Sequence, residues 1–345
     1  MNTQQFDPRA ALTAWSLDRA TLNPVAAGHI NHTWLVEHGC TRYALQWLNP
    51  IFKRELHLDI EAITARLVAA GLDTPRLIRT SAGELWSADA SGIWRLLSWI
   101  DGSCHLVVEG PSRATAAGRL LGQFHAALWE CDHVFHFARP HVHDTPRHLH
   151  NLEQALAKYG NHRNRQRIEP LATEILALAR SLASGRELPR RVVHGDPKIS
   201  NFIFGPDGRA IALVDLDTLA RMPIAVELGD AFRSWCNPRG EEVAASFDVG
   251  TFEAGLTGYV AAVGDRVPRS ELASVPQQIQ LISLELAARF CADALNESYF
   301  NWNRERYPSA SDHNIERTTS QLNLARSVSS QMSTIEAIAQ RTLAR

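Results

Sequence analysis

Short runs in which apolar and polar residues alternate fill much of the chain up to Ile100, whereas beyond it apolar residues mostly recur every three or four positions. Alternation is the pattern of half-buried strands, and the wider spacing is that of amphipathic helices. Strands are therefore expected at Asn23–Ala27, Thr33–His38, Tyr43–Leu48, Leu77–Ile78, Leu85–Trp86 and Ile93–Ile100. Helical stretches interrupt them. Asp7 followed by Pro8 reads as a cap and first turn. Leu56, Ile60, Ile63 and Leu67 mark a longer helix that Gly71 stops before Thr74-Pro75.

Past Ile100, the apolar positions Ala117, Leu120, Leu121, Phe124 and Leu128 predict a helix over Ala114–Glu130. Further helices are expected at Pro146–Tyr159, capped by Thr145, and at Glu169–Ser184, Phe247–Val263, Ser274–Asn296 and Asn314 to the end. A small antiparallel sheet followed by a larger, mostly helical part is an α+β plan, and 345 residues are enough for two lobes. The division is expected at residues 1–99 and 100–345, with the hinge at the end of the Ile93–Ile100 strand.

One stretch breaks the helical pattern. Val192-Val193 and Phe202-Ile203-Phe204 are apolar runs that lead into His194-Gly195-Asp196 and toward Asp215-Leu216-Asp217, and Gly205-Pro206-Asp207-Gly208 supplies a hairpin turn. The hairpin would bring Asn201 and Asp215 to the same end. An Asp, an amide five positions on and a second Asp beyond a hairpin form the minimum set for metal-assisted phosphoryl transfer. Asp196 would orient or deprotonate an acceptor hydroxyl, with Asn201 and Asp215 as metal ligands and Asp217 assisting the metal or touching the acceptor. Gly195 permits the turn before Asp196, and His194 shapes the loop by hydrogen bonding. Lys198 is placed to approach the transferred phosphoryl group.

These motifs resemble those of the aminoglycoside phosphotransferase and choline kinase superfamily. Within it, the chain is most similar to the N-acetylhexosamine 1-kinases, through Gly28-His29-Ile30-Asn31, Leu45-Gln46-Trp47-Leu48-Asn49, Trp94-Arg95-Leu96-Leu97, Asp215-Leu216-Asp217-Thr218, Gly229-Asp230-Ala231-Phe232-Arg233 and Arg289-Phe290. The resemblance spans nearly the whole chain. It implies a bilobal protein-kinase-like fold, ATP and Mg²⁺ as cofactors, and transfer to a small molecule, most closely the anomeric hydroxyl of a sugar. A nucleotide would lie against Gly28, His29, Asn31 and Gln46, with backbone groups from Leu97 to Trp99 meeting the adenine. Arg289, Tyr299, Trp302 and Arg317 are the matching candidates for sugar contacts. The aromatic, amide and arginine mixture of Glu297–Arg304 suits a sugar, although Tyr299 and Trp302 suit packing between helices equally well. An aminoglycoside or amino alcohol as acceptor, or a non-catalytic nucleotide-binding module, are the rival readings.

One position departs from the kinase pattern. Where the third strand commonly carries the lysine that grips the phosphates, this chain has Gln46, which brings no charge. Lys53, Arg54 or Lys198 would have to supply the cation, or affinity would depend more on Mg²⁺. Glu61, on the long helix, is either the partner of that cation or a solvated side chain. Asp230 and Arg233 are expected to form an ion pair that holds the metal loop.

Composition narrows the remaining options. Hydrophobic content of 45%, charged content of 21% and a net charge of −2 give no reason to expect nucleic acid or an anionic membrane as partner. The first residues show no basic stretch followed by an apolar core, and no apolar run is long enough for a bilayer, so a cytoplasmic monomer or homodimer is expected. Cys40, Cys104, Cys131, Cys236 and Cys291 are scattered, as suits unpaired thiols. Cys131, His133, His136, His141, His143, His148 and His150 are rich in possible zinc ligands but fit no standard spacing, and a connecting loop is the plainer reading.

Overall fold

The computed structural model describes residues 7–25, 30–182, 188–240 and 245–344. At its start, Asp7 accepts a hydrogen bond from the Ala10 N–H at 3.0 Å and so caps α1 (Pro8–Ala11). An antiparallel sheet follows, formed by β1 (Thr21–Val25), β2 (His32–His38), β3 (Thr41–Leu48), β4 (Leu77–Ile78), β5 (Ser87–Asp89) and β6 (Gly92–Ser98). The strand order is β1-β2-β3-β6-β4, with β5 against β6. The long helix α2 (Leu56–Ala69) lies between β3 and β4 in the chain.

Register divides this sheet into two chemically different faces. Leu45 is opposite Leu96 and Trp47 opposite Trp94, and these four pack with Trp15 and Val36 into a core behind the sheet. The intervening residues point the other way, toward α2 and the helical part, because side chains alternate along a strand. Gln46 opposite Arg95 therefore lies on the inner face, between the Leu48–Ile93 and Ala44–Leu97 pairs.

The larger part is mostly helical, as the spacing of apolar residues leads one to expect. Its first helices are α3 (Pro111–Ala127), α4 (Thr145–Lys158) and α5 (Arg165–Leu182). Two short strand pairs then interrupt the helices: β7 (Arg190–Val193) with β10 (Ala220–Pro223), and β8 (Phe202–Phe204) with β9 (Ala210–Leu213). After them come α6 (Ile224–Trp235), α7 (Val249–Val263), α8 (Arg269–Leu272), α9 (Val275–Asn296), α10 (Ala310–Ser330) and α11 (Met332–Leu343). Helix α9 is buried around most of its surface, because α4, α5, α6 and α10 all pack on it.

Several boundaries differ from the sequence reading, each for a local reason. The cap of α4 is Asp144, which accepts the Arg147 N–H, while the Thr145 hydroxyl donates to Glu285 at 2.6 Å. Leu85-Trp86 precedes the short β5, because Leu85 is buried in the main core instead of pairing. The last expected helix is two helices. Ser309 caps α10 upstream of Asn314, and the run breaks at Gln331. Helix α6 escaped notice, although Ile224, Leu228, Phe232 and Trp235 recur at helical spacing and are all buried. Among the described residues no helix is long and apolar enough to cross a membrane. The five cysteines are free thiols.

Candidate active site

Strand β7 ends at His194, and the loop beyond it is held from three directions. The His194 N–H donates to Glu227 of α6 at 2.9 Å, its ring Nε2 lies 2.9 Å from the Val214 carbonyl, and its own carbonyl accepts the Thr218 hydroxyl at 3.0 Å. Gly195 then turns the chain at φ +85°, so close to Thr218 that an added Cβ would stand 2.1 Å from the Thr218 oxygen. Trp235 braces the next residue, its indole N–H donating to the Pro197 carbonyl at 2.8 Å.

That bracing delivers Asp196, Lys198 and Asn201 to one place. A 3₁₀ turn over Ile199–Asn201 folds the amide back, so that Asn201 Nδ2 donates to the Asp196 carbonyl at 2.8 Å and lies 3.4 Å from its Oδ2. The amide nitrogen is thereby engaged, and its oxygen is the atom that suits a cation. Lys198 Nζ lies 2.6 Å from Asp196 Oδ2. Burial would raise the Asp196 pKa, but the charge and hydrogen bond of Lys198 outweigh it and hold the carboxyl below its ordinary range.

Asp215 stands at the end of β9 in a left-handed conformation, φ 64° and ψ 55°, with its side chain open to the cleft. Its surroundings push its pKa up, first through loss of solvation and then through the neighbouring Asp217 carboxylate, against the pull of Lys198. Asp217 points elsewhere. It takes a bidentate ion pair from Arg95, at 2.6 and 2.9 Å, and a hydrogen bond from Asn31 at 2.5 Å, and both members of the pair are almost wholly buried.

Across the cleft, Gln46 is tied to the same group. Its amide oxygen accepts the Arg95 Nε hydrogen at 2.8 Å, and its amide nitrogen, Nε2, donates to the Thr33 hydroxyl at 3.0 Å. Asn31 also accepts the Asn49 N–H at 2.9 Å. Gly28 and His29 lie outside the described residues. Leu97 places its side chain on the inner face of the sheet. The Ser98 and Trp99 N–H groups donate to the Arg76 and Arg42 carbonyls. Glu61 pairs with Arg79 at 3.0 Å instead of with a cleft cation. One turn earlier on α2, the buried His57 lies close enough to Arg95 and Asp217 to feel both charges.

Behind the catalytic loop a second buried network supports it. Glu227 lies 3.3 Å from His125, whose other ring nitrogen meets the Tyr259 hydroxyl at 2.8 Å. Arg233 and Asp230 form the expected ion pair at 2.9 Å. Farther along, His143 sits 3.1 Å from Glu285 and 3.9 Å from Asp230. Burial raises the Glu285 pKa, but the charge and hydrogen bond of His143, with smaller pulls from His148 and Thr145, together outweigh it and hold the carboxyl down at about 2.

The candidate sugar contacts gather around the segment that follows α9. Asp293 fixes that segment by accepting the Ser298, Tyr299 and Phe300 N–H groups. The Arg289 guanidinium lies 5.7 Å over Phe300, and Arg317 lies 5.4 Å over Phe290 and donates to the Asn301 carbonyl. Tyr299 is exposed and bonded to Arg139, and Trp302 lies beneath Arg304. The histidines of the 131–150 stretch do not all converge on one point. His133 and His136 meet Asp59, His141 meets Asp144, and His143 meets Glu285. The ligand atoms of Asp59, His133 and His136 do lie within 4.8 Å of one another, but Asp59 is engaged by the His136 and Phe137 N–H groups.

Sequence reasoning named Arg95 only within the Trp94-Arg95-Leu96-Leu97 motif, with no role of its own, and did not single out His57, Trp235 or Tyr259. The signal for Arg95 was present, a lone charge inside an apolar strand. The other three needed the packing.

Known proteins resemble this chain in family and in fold. Residues 21–262 match the model of the phosphotransferase enzyme family, APH. Among solved structures, a microcompartment-associated aminopropanol kinase superposes with a TM-score of 0.64 at 18% identity, covering 95% of this chain and 97% of that one. An amicoumacin kinase in complex with AMP-PNP, Ca²⁺ and Ami gives 0.64 at 14% identity, covering 92% and 93%. An aminoglycoside phosphotransferase from Alicyclobacillus acidocaldarius gives 0.61 at 17% identity, covering 96% and 97%. At such identities the likeness shows a shared fold.

Proposed function

The chain belongs to the phosphotransferase enzyme family, and from that premise we propose that it transfers phosphate from Mg·ATP to a sugar hydroxyl, most closely the anomeric one of an N-acetylhexosamine or related hexose. In this reading residues 1–99 hold the nucleotide and residues 100–345 carry the catalytic groups and the acceptor.

The side chains present suit a magnesium ion. The Asn201 amide oxygen and the Asp215 carboxylate are hard oxygen donors, and loss of solvation and the neighbouring Asp217 charge leave Asp215 more in need of a cation than the pull of Lys198 supplies. A bound ion would neutralise charge developing on the transferred phosphoryl group. Asp196 is kept ionised by Lys198, so it can accept the hydrogen bond of an incoming hydroxyl and aim its oxygen. A carboxylate with a depressed pKa is a weak base, which matters little where alignment supplies most of the rate.

The observation that carries the choice of acceptor is the pairing of acids around Arg289. Glu285 is matched by His143, and Asp230 by Arg233 and His143. A polycationic aminoglycoside is best met by uncompensated acids, whereas a neutral polyol needs fixed donors and acceptors.

The test is ADP release with Mg·ATP over hexoses, N-acetylhexosamines, aminoglycosides and amino alcohols, with phosphorus NMR of any product. Phosphate on an anomeric oxygen is expected. Phosphate on an amino alcohol or aminoglycoside overturns the sugar while keeping the chemistry. Asp196→Asn should lower turnover by about a thousandfold and leave ATP affinity within about twofold, and loss of ATP binding instead would remove Asp196 from this role.

A further inference from the structure

We propose that Arg95 is the cation that binds the nucleotide phosphates, standing in for the strand lysine that Gln46 replaces, and that Asp217 holds its guanidinium fork in place until nucleotide arrives. The inference rests on reading the cleft as a nucleotide site.

Register is the first ground. Gln46 and Arg95 are directly opposite on β3 and β6, so both side chains leave the same face of the sheet. The charge missing from one strand is supplied by its neighbour. The amide then has a use that a lysine would not. Gln46 accepts the Nε hydrogen of Arg95 at 2.8 Å and fixes the plane of the fork, while a second cation there would repel it.

What the fork holds is the second ground. Its two terminal nitrogens grip Asp217, two residues beyond Asp215, with both partners buried at the junction of sheet and metal loop. Arginine recognises carboxylate and phosphate through the same bidentate geometry. Nucleotide binding would exchange one such anion for another at an arginine that is already oriented.

A third observation points to a ligand here. His57 is fully buried beside the pair, and its Nε2 has no hydrogen-bond partner. Its Nδ1 is engaged by the Arg54 carbonyl at 2.7 Å. A buried polar atom without a partner is costly unless something else satisfies it. With Nδ1 donating to the Arg54 carbonyl, the neutral ring leaves Nε2 as an acceptor, and a water bound to the phosphates would donate to it.

The other candidate cations are engaged elsewhere or exposed. Lys198 is paired with Asp196, Arg54 is exposed beside Glu55, and Lys53 is exposed.

The experiment is calorimetric binding of ATP, with and without Mg²⁺, and of adenosine, to the full chain without acceptor. Arg95→Gln is expected to weaken ATP at least about tenfold and to leave adenosine unchanged. Arg95→Lys keeps a charge against Asp217, and with it the fold, but loses the fork. It should bind ATP several-fold more weakly. Moving the cation back to its neighbour, in Gln46→Lys with Arg95→Gln, should restore most of the affinity. Asp217→Asn should tighten metal-free ATP, because the competing anion is gone. ATP affinity within twofold of wild type in folded Arg95→Gln or Arg95→Lys overturns the proposal alone. A wild-type protein that binds neither ATP nor adenosine overturns the phosphotransferase reading as well.

Discussion

The two sides of the cleft are built in different ways. On the helical side, Asp196, Lys198 and Asn201 lie within one short loop, and each is set by a turn of its own backbone or by a neighbour a few residues away. On the sheet side, Asn31, Gln46, His57 and Arg95 come from separate elements and meet around Asp217 only because strand register and helix packing bring them there. Local geometry sets the internal arrangement of the first group, while Glu227, Thr218 and Trp235 only hold the loop in place. The second depends on the whole fold.

The comparison would break most visibly at Gly195. Its φ of +85° and the 2.1 Å approach of an added Cβ to the Thr218 oxygen leave no room for a side chain. Gly195→Ala should destabilise the protein on the order of 3 kcal/mol, and should lower turnover about a hundredfold or more by displacing Asp196. Chemical denaturation and steady-state kinetics check both. If the variant folds and works normally, the loop is not set by its own backbone, and the contrast between the two sides fails.

That contrast also explains what was legible in the sequence. The order of strands and helices follows from periodicity, and the His194–Asp217 constellation follows from spacing, because hairpins and 3₁₀ turns fix side chains over a few residues. The cation opposite Gln46 was not legible in the same way. Lys53 and Arg54, near in sequence, drew attention, whereas Arg95 is 49 residues from Gln46 and adjacent only through pairing of β3 with β6. Glu61 failed as a partner because it lies one turn farther along the same side of α2 than His57 and reaches Arg79 instead of Arg95. Position along the helix decides this, and it is set by where α2 packs on the sheet.

The sheet side has its own signature in pH. Burial first, and the Arg95 charge second, hold the His57 pKa down at about 4, against smaller upward pulls from the Arg54 carbonyl, Asp217 and Glu55. The unfolded chain takes up a proton near the ordinary 6.5, and the folded protein resists it until about 4. The contribution of this group to stability is therefore complete above 6.5 and falls as pH drops from 6.5 toward 4, by about 1.4 kcal/mol per pH unit within that window. Denaturation midpoints across pH 4–7 should show that slope in wild type and a flatter curve in His57→Leu. Equal slopes would mean that the imidazole is solvated and does not face the Arg95–Asp217 pair.

The smallest effect sharpens the comparison from the other side. The brace on the catalytic loop nearest Asp196 is the 2.8 Å hydrogen bond from the Trp235 indole to the Pro197 carbonyl. Trp235→Phe keeps most of the buried ring and removes only the donor, so the loss should be about 1 kcal/mol of stability. Because Pro197 adjoins Asp196, the kinetic effect should fall on kcat, by a few-fold, with KM for ATP unchanged. A change in ATP affinity instead would show that the brace reaches across the cleft to Asp217 and Arg95. The loop would then share the long-range dependence of the sheet side.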